Sequence, residues 1–181
     1  RAMSYVELKH LCADLALEAI RHPDGASWTT VAAAYASLAS PAAPVVARNR
    51  VQQRAAELGR RFGWRPDHAE MAFLAARGLL EARLDTVTAR EPFVPHLPYL
   101  SRHAPRLLDA LWALRTRGSH DITDLERGAV LFNAGLFFEC HELLEGVWRA
   151  TDGPAKNLHH GIVQVAAAFY HFEKGNRHGA A

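Results

Sequence analysis

Apolar residues recur at helical spacing through most of the chain. Leu8, Leu11, Leu15 and Ala19 predict an amphipathic helix over about 4–21, and His22-Pro23-Asp24-Gly25 breaks it. Ser27 is placed to cap a second helix running to about Leu38. Beyond the turn at Ser40–Pro44, the stripe Val51, Ala55, Leu58 and Phe62 predicts a third helix ended by Gly63. Pro66 suits the first turn of a fourth helix, at about 66–80. From Leu80 to His96 the helical period fades. Thr86, Val87 and Thr88 are strand formers, so a short hairpin is expected near 80–95. Prolines 92, 95 and 98 mark the clearest linker, ahead of a fifth helix at about 104–117.

After the break at Arg117-Gly118-Ser119, Asp121 or Thr123 can cap a helix running to about Ala134, and Gly135 allows a tight reversal. Further helices are expected from about Phe137 to Ala150 and, beyond Thr151-Asp152-Gly153-Pro154, up to Lys174. Gly175 stops the last of them and Asn176 can cap another. Short loops make consecutive helices antiparallel neighbours. The pattern is that of an all-α protein, an antiparallel helical bundle. It divides into an N-terminal helical region (3–118) and a C-terminal helical domain (122–181). The chain end looks cut short, and Arg1-Ala2 before Met3 reads as an added remnant.

On the helix at 137–150, Phe137, Cys140, Leu143, Leu144, Val147 and Trp148 make one apolar arc. His141 and Glu145, four apart, stack at its edge beside Trp148, while Glu139, Glu142 and Arg149 fall towards solvent. On the following helix Ile162, Val165 and Phe169 form the apolar face, and His160, Gln164, Ala167 and His171 lie on another side. His160 and His171 are separated by about 16 Å of helical rise and cannot share one ion. In a hairpin turning about residue 152, facing positions sum to about 304. This brings His160 within reach of His141 and Glu145, with Gln164 or Glu126 nearby, and leaves His171 level with Asn133. The expected metal ligands are therefore His141, Glu145 and His160, with Glu142 as a general base if it turns inward. Asn133, Trp148, Gln164 and His171 are expected around them. Imidazole and carboxylate suit Zn, Mn, Fe or Ni, and three protein ligands leave a position for water. The competing reading is a hydrogen-bonded His–Glu pair that only fixes helix packing. Neither HExxH nor paired ExxH is present.

Composition narrows the partners. The chain of 181 residues has an ordinary apolar fraction of 49% and a net charge of +2, which gives no whole-chain argument for nucleic acid or a membrane. Arg50, Arg54, Arg61 and Arg65 project along one side of the third helix, 28–62 reads as a helix–turn–helix and 79–95 as a wing. Glu57 interrupts that stripe, so nucleic acid is the weaker partner reading. No apolar run reaches the roughly 18 residues of a membrane span, and no signal peptide is evident, which makes cytoplasm the expected location. Cys12 and Cys140 lie in apolar helical patterns and are expected as buried free thiols.

The run Leu131-Phe132-Asn133-Ala134-Gly135-Leu136-Phe137-Phe138-Glu139-Cys140-His141-Glu142-Leu143-Leu144-Glu145-Gly146-Val147-Trp148-Arg149 resembles the domain-of-unknown-function 309 family. Gly161-Ile162-Val163-Gln164, Ala166-Ala167-Ala168, Tyr170-His171 and Gly175-Asn176 are similar to its second signature. The resemblance covers about residues 122–181. It implies a bundle of antiparallel helices with a metal-binding His-x-x-x-Glu motif, here His141 and Glu145, and some members are labelled metal-dependent hydrolases. Gln is commoner in that family where His160 stands, and the family usually continues into another helix.

Two classes of function follow. One is a metal-dependent hydrolase of unassigned substrate. The other is a non-enzymatic helical interaction module, binding a protein or, through the Arg-rich helix, nucleic acid. Leu131, Phe132, Leu136, Phe137 and Phe138 are many large apolar groups for about 60 residues to cover, and a homodimer, or docking against the N-terminal helices, would bury them.

Overall fold

Helix α1 (Ala2–Arg21) forms where the first stripe requires it, and Leu8, Cys12, Leu15, Ala16 and Ala19 are all buried. This computed structural model describes residues 2–117 and 122–180, with side chains described from 4 to 117 and from 122 to 179. The chain divides into two compact units, Arg1–Leu108 and Asp109–Ala181. The expected break at 118–119 and the alternative cap Asp121 lie outside the described residues.

In the first unit, Pro23–Gly25 forms a 3-10 turn and α2 (Trp28–Leu38) follows. Every residue of α2 from Trp28 to Ala36 is buried, and the hydroxyls of Thr29 and Thr30 donate to the Ala26 and Ser27 carbonyls. Ser27 precedes α2 without capping it, because its hydroxyl is committed to Glu70 Oε1 at 2.7 Å. Next come strand β1 (Val46–Ala47), α3 (Arg48–Gly59), a 3-10 turn (Arg60–Phe62) and α4 (His68–Ala76). Gly63, at φ 69°, closes that 3-10 turn. The fourth helix is shorter than expected. Asp67 caps it in a reciprocal box with Glu70, so it starts after Pro66, and it ends ahead of Gly78 at φ 78°.

The expected hairpin is present as β2 (Leu80–Ala82) and β3 (Thr86–Ala89). It is joined by β1, too short to leave a period-two signature, in an antiparallel sheet of order β1-β3-β2. Val46 pairs with Val87, and Leu80 with Ala89. Tyr35, fully buried, fastens this sheet: its hydroxyl donates to the Pro44 carbonyl at 2.7 Å and accepts from the Ala89 N–H at 2.6 Å. Burial pushes the phenol up from its ordinary value, so it remains a donor.

The proline-rich stretch is not a linker. Glu91–His96 is a 3-10 turn with Phe93 buried, and α5 (Leu97–Arg117) starts seven residues earlier than expected and continues through Pro105. Prolines 92 and 98 fall in the first turns of these elements, where a missing N–H costs nothing.

The second unit contains α6 (Asp124–Asn133), α7 (Phe137–Ala150), α8 (Ala155–Glu173) and the short α9 (Arg177–Ala180). Thr123 caps α6 in a box with Glu126. Gly135, at φ 75°, ends it, with Leu136 N–H bonded to the Leu131 carbonyl. Gly128 permits close packing of α6 on α7, since a Cβ there would stand 2.6 Å from Leu144 Cδ2. The core includes Val130, Leu131, Leu136, Cys140, Leu143, Leu144, Val163 and Ala166. The buried face of α8 therefore centres on Val163 and Ala166. The expected face is displaced from it: Val165 and Phe169 stay 51% and 46% exposed. Asn176 accepts from the Gly179 N–H and opens α9. Among the described residues the architecture is all-α with one small sheet, and no helix is long and apolar enough to cross a membrane.

Candidate metal centre

Cys140, Leu143 and Leu144 anchor α7 in the core and fix its rotation. His141 and Glu145 then emerge at the core's edge, with Glu142 beside them. One ligand atom from each of these three residues lies within 4.8 Å of the other two. His141 Nδ1 stands 3.4 Å from Glu142 Oε1, and the side chains of His141, Glu142 and Glu145 are 27%, 38% and 27% exposed. Arg149, itself 71% exposed, reaches back one turn to Glu145 Oε1 at 2.7 Å. One imidazole nitrogen and two carboxylate oxygens, all reachable from water, form a donor set that could hold a metal ion.

His160 lies outside this group. Its exposed ring stacks on Trp148, with centroids 4.9 Å apart and planes at 19°. The cause is register: the pairs Trp148–His160 and Phe138–Tyr170 place facing positions about one helical turn from the expected alignment. A bond between Thr151 Oγ1 and His159 Nδ1, 2.9 Å long, pins the start of α8 in this alignment. Glu142, expected towards solvent and as a general base only if it turned inward, lies in the donor group. Glu126 is committed to its helix cap: Thr123 N–H and Thr123 Oγ1 both donate to Glu126 Oε2 at 2.8 Å. These bonds hold its carboxyl below the ordinary value.

The remaining candidates are dispersed. Gln164 and Asn133 are exposed. His171 lies at the far end of α8, its Nδ1 3.3 Å from Asn176 Nδ2 and its ring against Tyr170. Trp148 stacks on His160, which lies outside the donor group. Glu139, whose wheel position points to solvent, is instead 2% exposed. Burial, and then the Glu139 charge, push the neighbouring Cys140 thiol up to about 12, so it stays protonated at neutral pH in the ion-free protein. Cys12 and Cys140 are both buried and outside any disulfide, as expected.

No curated protein and no solved structure matches the chain. Residues 125–181, the stretch that carries the His141/Glu145 helix and the helix packed on it, match the model of the family described as Domain of unknown function (DUF309), and the resemblance drawn from the two motifs holds over those residues.

Proposed function

We propose that the second unit binds a divalent transition-metal ion through His141, Glu142 and Glu145. The observation that carries this reading is the approach of three ligand atoms to within 4.8 Å of one another on a single turn of α7. A bound ion supplies Lewis acidity, which polarises a carbonyl or phosphoryl oxygen. In the hydrolase form of this reading, His141 and Glu145 would hold the ion and Glu142 would be released from it to act on water. Glu142, the most exposed of the three, accepts the proton of the attacking water. His160 on Trp148 offers a flat aromatic wall for a substrate.

The test is calorimetric titration of chelator-stripped protein with Zn and Mn, together with elemental analysis. The expected result is one ion per chain, with affinity at least about ten-fold weaker in both His141→Ala and Glu145→Gln. Absence of bound metal, with no thermal shift on adding Zn, Mn, Fe(II) or Ni, overturns it. In Glu142→Gln, hydrolysis is expected to be lost more completely than metal binding.

A second reading, a protein-interaction module, is favoured by one observation. Leu158, Val165, Phe169 and Phe172 are 66%, 51%, 46% and 71% exposed and follow one side of α8. They present roughly 400 Å² of apolar surface, within the range of the largest patch on a typical monomer. With a normal polar rim, a patch of that size on each of two copies buries on the order of 1,400 Å² in total, enough for a stable pair. A second copy of the chain is the proposed occupant. Light scattering is expected to report a dimer that Val165→Asp converts to a monomer. A monomer at every concentration removes this reading.

A further inference from the structure

We propose that the first unit is a winged helix–turn–helix that binds the phosphate backbone of duplex DNA without reading its sequence. The order α2, β1, α3, α4, β2, β3, with the sheet arranged β1-β3-β2, places a hairpin wing beside a pair of helices. The helix pair is α3–α4, one helix later than the segment 28–62 that the sequence suggested.

Three segments meet at one cleft of about 700 Å³: the start of α3, the start of α4 and the wing tip at Arg83–Asp85. Arg48 joins them. Its backbone N–H donates to the Asp85 carbonyl at 2.9 Å, and its Nη1 reaches the carbonyls of Arg83 and Leu84 at 3.4 and 3.5 Å. Its Nη2 lies 3.3 Å from His68 Nδ1, and Gln52 Nε2 lies 3.0 Å from the same atom. Arginine can only donate, so His68 Nδ1 is the acceptor of the Arg48 bond. The Arg48 Nε–H is buried and has no acceptor in the protein. A buried donor left unpaired is costly, and a phosphate oxygen pairs with it once the Arg48 side chain turns outward into the cleft.

The charge agrees. Between residues 45 and 90 nine arginines stand against five carboxylates, although the whole chain carries only +2. Three of the five are occupied: Glu57 pairs with Arg54 at 2.9 Å, while Asp67 and Glu70 cap α4. Asp85 is the one carboxylate lining the cleft. The arginine stripe expected on the third helix does not survive as such. Arg54 is paired, and α3 gives way to a 3-10 turn at Arg60 and to Gly63 before Arg65. The cationic contacts shift to Arg48, Arg50 and Arg83. The exposed face of α4 presents Ala69, Ala72 and Ala76, which offer no hydrogen bond to a base edge. Recognition is therefore by phosphate and shape.

The test is fluorescence anisotropy of the full chain with two labelled duplexes of about 24 base pairs and unrelated sequence. Equal affinity for both is expected. Three phosphate contacts predict a loss of about forty-fold in affinity from about 50 to about 200 mM salt. Arg48 also holds the wing, so the variant is Arg50→Ala/Arg83→Ala, expected to keep the wild-type melting profile while its salt dependence falls to about four-fold. No binding at about 50 mM salt with tens of micromolar protein, or a double variant with an unchanged salt slope, overturns the proposal.

Discussion

Arg149 competes with any ion for Glu145. The pair is short, at 2.7 Å, but the guanidinium is 71% exposed, and such pairs contribute at most about 1 kcal/mol. Arg149→Ala is therefore expected to raise metal affinity by up to about five-fold in a calorimetric titration. A fall in affinity would mean that Arg149 supports the site. Two positions earlier than the donor group, Glu139 does the opposite of what its wheel position suggested and packs inside. It adds to the burial that raises the Cys140 thiol from its ordinary 9.0 to about 12. Cys140, and the equally buried Cys12, are predicted to resist an aromatic disulfide reagent at about pH 8 in the native protein and to react in urea. Because the folded value is the higher one, the contribution of Cys140 to stability is intact below about pH 9 and is lost as pH rises from there through about 12. His141 and Glu145 could be paired from the sequence because four residues return to the same side of a helix. Glu142 could not, because its participation depends on side-chain direction at the edge of the buried face.

At the level of elements, the box that opens α6 makes a pH-dependent contribution. Glu126 is held below its ordinary 4.5 chiefly by the Thr123 N–H and then by the Thr123 hydroxyl. The stability it contributes is present above pH 4.5 and lost as pH falls through the lowered folded value. Thr123→Ala is expected to cost about 1 kcal/mol in urea unfolding at neutral pH, and the gap from wild type should narrow at about pH 3. An unchanged gap would show that Glu126 is not the titrating partner. The helices were largely legible, since Leu8, Leu15, Val51, Ala55, Leu143 and Leu144 repeat at their spacing and are buried. Prolines 92, 95 and 98 misled because a proline in a first turn and a proline in a linker look alike without the packing of Phe93. His160 was placed by counting residues around a turn. The true alignment of α7 and α8 depends on ring contacts such as Phe138–Tyr170, which no count predicts.

Over the whole molecule, the chain divides into two compact units, and each holds one of the two proposed sites. Scanning calorimetry is expected to show two transitions. Zn or Mn at about a hundred times its dissociation constant should stabilise only the one belonging to the second unit, by about 2.7 kcal/mol. Equal movement of both transitions, or of neither, would contradict the location of the donor group. The first unit has a different source of firmness in the Tyr35 hydroxyl, which holds the chain just before β1 and the last residue of β3 together. The wing cannot swing away from the helices without breaking both bonds around one oxygen atom. A ligand arriving there meets a preorganised clamp, so little ordering entropy is lost on binding, and any bending must be done by the ligand.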